Sequence, residues 1–281
     1  MTQTAGAQRI AVAFAAAHDA GRAALIPYAV AGYPDAATAE GIAVAAIDAG
    51  ADLLEVGLPY SDPLADGATL QRASGVALRA GATLDRSIDL VGRIHAARPS
   101  TPLVAMGYVN QVLGGRDGAS VLERIRKAGV AGLILADLTP DEGEELEAEA
   151  GRHGIGIVYL VAPTTPLERR AFIASRSQGF LYAVSLAGVT GARKRLPPGV
   201  GRFLAQVRSV SPVPVAVGFG VSSPAHAQSL ARAADGVIVA SALVDALGPE
   251  GRDVERMARL VASLAAAVAR PGDAARPSAG S

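Results

Sequence analysis

Short runs rich in valine, isoleucine and leucine recur along the chain, and stretches with helical periodicity separate them. Eight such runs are present, at residues 24–31, 51–58, 102–107, 131–137, 155–162, 179–185, 213–218 and 235–241. Nearly continuous apolar runs of this length are typical of parallel strands that are buried on both faces, with helices crossing from one strand to the next. The pattern therefore predicts an α/β fold, a single (β/α)8 TIM barrel.

Helix start and stop signals lie between the runs. Residues 7–20 have the spacing of an amphipathic helix, which would be an extra N-terminal helix ahead of the barrel. Asp35 and the string TPDE at residues 139–142 are typical of helix starts, and Gly50 and Gly129 are typical of helix ends. An open, doubly wound sheet is the alternative architecture, but no GxGxxG string follows the first run to support a dinucleotide site.

Composition narrows the classes of function. The chain has 281 residues, with 26 basic side chains, 26 acidic side chains and no cysteine. Balanced charge predicts no general affinity for nucleic acid or anionic membranes, and the lack of cysteine excludes disulfides and thiolate chemistry. No apolar run reaches the ~20 residues of a membrane span. We expect one catalytic domain at residues 1–270, a disordered tail at residues 271–281 and a cytoplasmic location.

Two carboxylates accompany the second run, in the string LLEVGLPYSDPLADG. Glu55 lies inside the apolar strand, and Asp66 lies in the loop that follows. Burial raises the pKa of a carboxyl group, so Glu55 could hold a proton at neutral pH and act as a general acid, while Asp66 in a wetter loop stays ionised. The structural alternative for Glu55 is an ion pair with an arginine. Asp62 precedes a proline and fits a turn as well as a functional role.

Other barrel chemistries lack their residues. The two lysines, Lys127 and Lys194, lie in a predicted helix and a loop, so a Schiff-base lysine on a strand is missing. The four histidines all fall in predicted helices or at their ends, so a histidine-ligated metal lacks ligands and we expect no metal. The remaining mechanism is acid–base catalysis by carboxylates, helped by hydroxyl groups such as that of Tyr182 on the sixth strand.

Small residues cluster in the loops after the last three strands. The strings SLAGVTG, VGFGVSSP and VIVASALV place Gly191, Gly220 and Ser241 at these ends. Backbone N–H groups of such loops bind phosphate without a basic side chain, and the position after strands 7 and 8 is where phosphate sites recur in barrels. Tight turns are the structural alternative for any single loop.

These residues resemble the tryptophan synthase alpha family. The similarity is carried by IPYAVAGYPD at residues 26–35, by the second-strand string at residues 53–67, by YLVAPTT at residues 159–165 and by YAVSLAGVTG at residues 182–191, and it covers about residues 9–265. The resemblance implies cleavage of indole-3-glycerol phosphate into indole and glyceraldehyde 3-phosphate by a retro-aldol reaction, with no cofactor in this chain.

The resemblance also assigns roles to residues. It implies that Glu55 protonates the indole carbon that bears the side chain and then, as a carboxylate, takes the proton of the glycerol hydroxyl, while Asp66 accepts the ring N–H. Further positions match the family's substrate site: Tyr182 and Thr190 match its tyrosine and threonine, Leu70, Met106 and Phe219 line the indole pocket, and Gly191, Gly220, Ala240 and Ser241 bind the phosphate.

The resemblance implies a partner as well. The family works as an αββα heterotetramer with a β subunit that carries pyridoxal phosphate, and it places four positions of this chain at or near that interface: Pro59, Asp62, Asn110 and Asp137. The chain departs from the family's usual pattern at four positions, which bears on partner fit and phosphate affinity: Ala68, Gln111, Thr139 and Ala240.

Three other functions are compatible with a barrel of this kind. One is a different sugar-phosphate enzyme, such as an isomerase or epimerase, which the missing strand lysine, cysteine and metal histidines disfavour. Another is a barrel retained mainly to activate a β subunit, which intact Glu55, Asp66 and Tyr182 disfavour. The third is a free-standing lyase that releases indole without a partner, which the sequence leaves open.

Overall fold

The computed structural model describes residues 3–184, 199–218 and 220–269. Helices and strands alternate along nearly all of it, as the apolar runs predict. In chain order the elements are α1 (Ala5–Asp19), β1 (Ala24–Val30), α2 (Ala36–Asp48), β2 (Leu54–Gly57), α3 (Ala68–Arg79), α4 (Leu84–Ala97), β3 (Leu103–Gly107), α5 (Val109–Leu113), α6 (Gly118–Lys127), β4 (Val130–Leu135), α7 (Glu144–Arg152), β5 (Gly156–Val158), β6 (Leu160–Val161), α8 (Leu167–Arg176), β7 (Leu181–Val184), α9 (Val200–Arg208), β8 (Val215–Gly218), α10 (Pro224–Ala231), β9 (Gly236–Val239), α11 (Ser241–Ala246) and α12 (Val254–Ala267).

The strands form one parallel sheet in the order β5-β4-β3-β2-β1-β9-β8-β7-β6. Its two outer members, β5 and β6, are separated in the chain only by Tyr159, so the sheet curves round into a barrel. The predicted TIM barrel is confirmed, and the open sheet is wrong. The prediction of one unbroken fifth strand is also wrong, because the Tyr159 amide donates to the Ser177 hydroxyl, 3.1 Å away, instead of to a neighbouring strand.

The extra N-terminal helix, also confirmed, fills the amino-terminal end of the barrel. Ile10 and Phe14 of α1 belong to the apolar cluster that occupies the barrel interior. They fit there because glycines stand at the facing strand positions: a methyl group on Gly132 would lie 2.9 Å from Ile10, and one on Gly236 would lie 2.8 Å from Phe14. The amino-terminal end of the barrel is therefore packed, so a substrate would have to bind at the carboxyl end of the strands.

Most helix boundaries agree with their sequence signals. The Asp35 side chain caps α2 by accepting from the Thr38 amide at 2.9 Å. Gly50 and Gly129, with φ of 112° and 82°, follow the ends of α2 and α6, as predicted. The TPDE prediction is wrong in position, because residues 139–143 form turns and α7 begins only at Glu144.

The proposed limits of the catalytic domain stay a prediction, and the predicted tail lies outside the described residues. None of the helices that the structure describes is long and apolar enough to cross a membrane.

Candidate active site

Glu55 lies in the middle of β2 with its side chain in the barrel interior. Strand alternation sets this direction, because Leu53, two residues earlier, belongs to the interior apolar cluster. The residue is 1% exposed, and neither carboxyl oxygen has a hydrogen-bond partner among the described residues. Burial, with a smaller contribution from the negative charge of Asp66, raises the pKa of Glu55 to about 8. Within the described residues there is thus no ion pair with arginine, and the protonated form predicted from the sequence is favoured at neutral pH.

Asp66 lies at the end of the loop that leads from β2 to α3, and it is half-buried. Burial raises its pKa to about 6. The loop is therefore less exposed to solvent than the sequence predicts. Asp66 nevertheless remains largely ionised at neutral pH. The two carboxyl groups have their pKa values on opposite sides of neutrality, which is the arrangement of one acid and one anion.

Tyr108, at the end of β3, holds the loop that carries Asp66. Its hydroxyl oxygen accepts a hydrogen bond from the Ala65 amide at 3.0 Å, and its ring stacks on Tyr60 at 5.1 Å. Desolvation raises the pKa of this phenol, which is therefore neutral at any working pH. The contact fixes the backbone next to Asp66, so the position of the anion depends on the neighbouring strand.

Helix α5 ties the same loop down at its other end. The Gln111 side chain donates to the Pro59 carbonyl at 2.7 Å, and the Asn110 side chain donates to the Tyr60 hydroxyl at 3.3 Å. Asp137, at the end of β4, in turn accepts from the Val109 amide at 2.8 Å. Gln111 thus joins two rim loops by a hydrogen bond.

Two buried tyrosines stand beside Glu55 at the mouth of the barrel. Tyr182 on β7 has its hydroxyl against Gly218, where a methyl group would lie 2.7 Å away, and Tyr28 on β1 has its hydroxyl against Gly57 in the same manner. Burial and the negative charges of Glu55 and Asp66 raise the pKa of both phenols well above their usual value. The structure thus brings Tyr182 to the carboxylate pair, as predicted.

The predicted apolar pocket is only partly within the described residues. Leu70 on α3 is 9% exposed, and Met106 on β3 is half-buried beside Gly57, its register partner on β2. Both lie near the carboxyl end of β2 and β3, where an aromatic ring beside Glu55 would need apolar contacts. Phe219 and Thr190 lie outside the described residues.

The candidate phosphate residues follow adjacent strands. Gly220 comes after β8 with φ of 61°, a conformation that favours glycine, and Ser241 begins α11 one residue after the end of β9. Ala240 has φ of −120°, which is outside the left-handed region that favours glycine. Gly191 lies outside the described residues.

The four predicted partner positions differ in exposure. Asp62, Asn110 and Asp137 are exposed on the rim. Pro59 is buried, so only the residues next to it could contact a partner. Leu64, between Asp62 and Asp66 in the chain, is 79% exposed on the same loop.

Sequence reasoning missed Tyr28 and Tyr108, and it missed the contact that Gln111 makes. The two tyrosines could have been found. Tyr28 comes two residues after Ile26, so both side chains lie on the interior face of β1, and Tyr108 directly follows the glycine that ends β3. The Gln111 contact could not have been found, because its partner is a carbonyl 52 residues away in the chain. Across the described residues, no group of three histidine, aspartate or glutamate side chains could hold a metal ion.

Known proteins with the same architecture agree on one family. The chain matches the family model described as tryptophan synthase alpha chain over residues 14–270. It is 46% identical to the tryptophan synthase alpha chain of Roseiflexus sp. (strain RS-1) over 259 residues, which cover 91% of this chain and 98% of that protein. It is also 46% identical to the alpha chain of Deinococcus radiodurans over 254 residues, or 90% and 93% of the two chains.

Solved structures give the same result. A chain of Mycobacterium tuberculosis tryptophan synthase superimposes with a TM-score of 0.86 at 39% identity, covering 93% of this chain and 98% of that one. The tryptophan synthase alpha subunit of Legionella pneumophila superimposes with a TM-score of 0.83 at 31% identity, covering 92% and 98%. The family match, the relatives and the barrel with its buried Glu55 show that the chain belongs to the tryptophan synthase alpha chain family.

Proposed function

We propose that Glu55 and Asp66 carry out the reaction of this family on one substrate molecule held across the barrel mouth. As a member of the family, the chain is a lyase of tryptophan biosynthesis that cleaves indole-3-glycerol phosphate. The observation that carries the residue assignment is the pair of carboxyl groups with pKa values of about 8 and about 6. Such a pair presents a proton and a negative charge to the same ring at neutral pH.

The first step protonates the ring. Glu55 donates its proton to the indole carbon that bears the glycerol side chain, and the positive charge that develops is spread to the ring nitrogen. Asp66 accepts the hydrogen bond of the ring N–H and stabilises that charge. Because Glu55 is buried without a hydrogen-bond partner among the described residues, its ionised form is poorly stabilised, so the residue holds its proton at neutral pH and brings it to the substrate.

The second step breaks the carbon–carbon bond. The Glu55 carboxylate takes the proton of the hydroxyl group on the adjacent side-chain carbon, and that carbon becomes the aldehyde of glyceraldehyde 3-phosphate. The electron pair of the broken bond returns to the ring, which leaves as indole, and Glu55 is again protonated. Atoms and charges balance, and no group outside this chain is required for the two steps.

Binding falls to the remaining predicted residues. Leu70, Met106 and Phe219 would contact the ring, and backbone N–H groups at Gly191, Gly220, Ala240 and Ser241 would bind the phosphate. Tyr182 would contact the substrate beside Glu55, and Thr190 would orient Asp66. The positive φ of Gly220 and the adjacency of β8 and β9 support the phosphate site.

We further propose that the rim binds a β subunit in an αββα heterotetramer in the cytoplasm. Asp62, Asn110 and Asp137, all exposed on the rim, would contact the partner, together with Leu64, which is exposed on the loop that carries Asp62. Pyridoxal phosphate would belong to the partner's site, and indole would pass to it. Loops at Tyr108 and α5 would connect the interface to Asp66.

The test is to mix purified chain with indole-3-glycerol phosphate, with and without a β subunit, and to follow release of both products. We expect slow cleavage by the chain alone and strong acceleration in a complex whose mass fits two copies of each subunit. Fast cleavage that the β subunit leaves unchanged would favour a free-standing lyase. Absence of cleavage in both conditions would overturn the residue roles.

A further inference from the structure

Tyr28 occupies the space directly above Glu55 on the inner face of the barrel. The two residues are register partners on β1 and β2, so their side chains share that face. The next inward position on β2 is Gly57, and a methyl group there would lie 1.7 Å from the Tyr28 hydroxyl oxygen and 2.3 Å from the ring carbon that bears it. The Tyr28 phenol therefore fills the side-chain space that Gly57 leaves open.

The sheet order places this phenol on the path of the substrate side chain. The acid Glu55 is on β2, and the proposed phosphate loops follow β8 and β9, while β1 lies between β2 and β9. A three-carbon chain that joins a ring at Glu55 to a phosphate at Gly220 and Ser241 by the shortest way along the rim would pass the carboxyl end of β1. Tyr28 is the residue with a polar side-chain atom that β1 presents to the interior there.

The Tyr28 hydroxyl is available to a ligand. No hydrogen bond engages it among the described residues, although its side chain is only 5% exposed. The titratable groups of the described residues that influence it are Asp66, Glu55, Tyr108 and Tyr182, and together with burial they raise the pKa of the phenol well above its usual value. A phenol that has no hydrogen-bond partner among the described residues and stays protonated at every working pH is free to donate a hydrogen bond to a ligand.

We propose that Tyr28 is a further catalytic residue, whose hydroxyl donates a hydrogen bond to the substrate oxygen on the carbon next to the ring. This oxygen changes from hydroxyl to aldehyde while Glu55 removes its proton, so negative charge passes through it and a fixed donor stabilises that charge. The inference rests on the proposed function, because it takes the roles of Glu55 and the phosphate loops from it. It adds a contact to the reacting oxygen that the two carboxyl groups do not make.

The test compares Tyr28→Phe with wild type on two ligands. The substrate carries the reacting hydroxyl, and an analogue with hydrogen in place of both glycerol hydroxyls does not. We expect kcat of the variant on the substrate to fall about 10-fold, as for the loss of one hydrogen bond to a group that gains charge. Affinity for the analogue, measured by calorimetry, should be unchanged, and so should the pH limits of the reaction, because the phenol does not titrate.

Tyr33→Phe is the matched control. Tyr33 is equally buried, but it lies after β1 and packs against Gly251, away from the carboxylate pair. This variant should match wild type in every measurement. Equal kcat values for Tyr28→Phe and wild type would overturn the inference, and so would an equal loss of affinity for substrate and analogue, since that describes a wall of the pocket. A wild-type chain that does not cleave the substrate would instead overturn the proposed function, with both analogue affinities still measurable.

Discussion

Tyr28 and Gly57 share one side-chain space at the mouth of the barrel: a methyl group on Gly57 would stand 1.7 Å from the Tyr28 hydroxyl oxygen. Gly57 is required because a side chain there would clash with Tyr28. Its backbone angles at the end of β2 do not require a glycine. Gly218 and Tyr182 repeat the relationship on β8 and β7, at 2.7 Å. The glycines that end β2 and β8 thus leave room for the side chains of Tyr28 and Tyr182 beside Glu55.

The Gly57→Ala variant should lose activity because the added methyl group displaces Tyr28. A shift of about 1 Å in a group that aligns the substrate lowers kcat on the order of 10²-fold. Steady-state kinetics on the purified variant measure this. Gly41→Ala is the control, since a methyl group on that helical glycine meets nothing within 4 Å. Activity of Gly57→Ala equal to that of the control would show that the phenol can move without consequence.

The pH dependence of kcat/KM should be bell-shaped. Activity requires ionised Asp66 and protonated Glu55, so it should fall below pH of about 6 and above pH of about 8. The phosphate of the substrate also titrates near pH ~6. Asp66→Asn distinguishes the ionisation of Asp66 from that of the substrate phosphate. In this variant, only the phosphate should still lower the activity as the pH falls. An acid limb identical in wild type and Asp66→Asn would contradict the role of Asp66.

Glu55 should make the wild-type protein less stable as the pH rises. Its pKa is about 8 in the folded state against 4.5 as the reference for the unfolded state, so the folded state binds the extra proton between these values. Stability linked to that proton is complete below the lower pKa and is lost as pH rises toward the higher one. Denaturant unfolding should show Glu55→Gln gaining on wild type by up to about 1.4 kcal/mol per pH unit in this window. Parallel stability curves would mean that Glu55 keeps an ordinary pKa.

The Gly220→Ala variant should bind the substrate more weakly. The residue has φ of 61°, and an alanine there costs about 1–2 kcal/mol of strain or moves the backbone N–H groups that would bind phosphate. We expect KM to rise about 10-fold with a smaller effect on kcat. Gly21→Ala is the matched control, with φ of 70° and equally open surroundings at the opposite end of the barrel. It should lose similar stability and keep its KM, and the same KM in both variants would remove Gly220 from the phosphate site.

Local pattern was enough to predict the barrel and the burial of Glu55. Glu55 stands out because it is a charged residue inside an apolar strand, and burial of that strand follows from the pattern alone. The break in the fifth strand was not predictable, because it depends on the Ser177 hydroxyl taking the amide of Tyr159. The start of α7 was misplaced for a related reason, since TPDE can begin a turn as readily as a helix.

The surroundings of the acid depend on contacts between distant strands. The partial burial of Asp66 results from a loop that folds back onto Tyr108, 43 residues from the Ala65 amide that it holds. The place of Tyr28 depends on its register with Glu55 and on the glycine two residues further along β2. Sequence spacing can indicate that Tyr28 faces the interior and that Tyr108 ends a strand, but it contains neither of these contacts, which emerge only from the fold.

The most direct test of the division into acid and anion is the rate of product release by Glu55→Gln at pH 7. The variant keeps the shape of the side chain but has no proton to give, so we predict that kcat falls by at least ~10²–10⁴ while the affinity for indole-3-glycerol phosphate, measured by equilibrium binding, stays within a few-fold of wild type. Cleavage by Glu55→Gln at the wild-type rate would contradict the assignment of Glu55 as the acid.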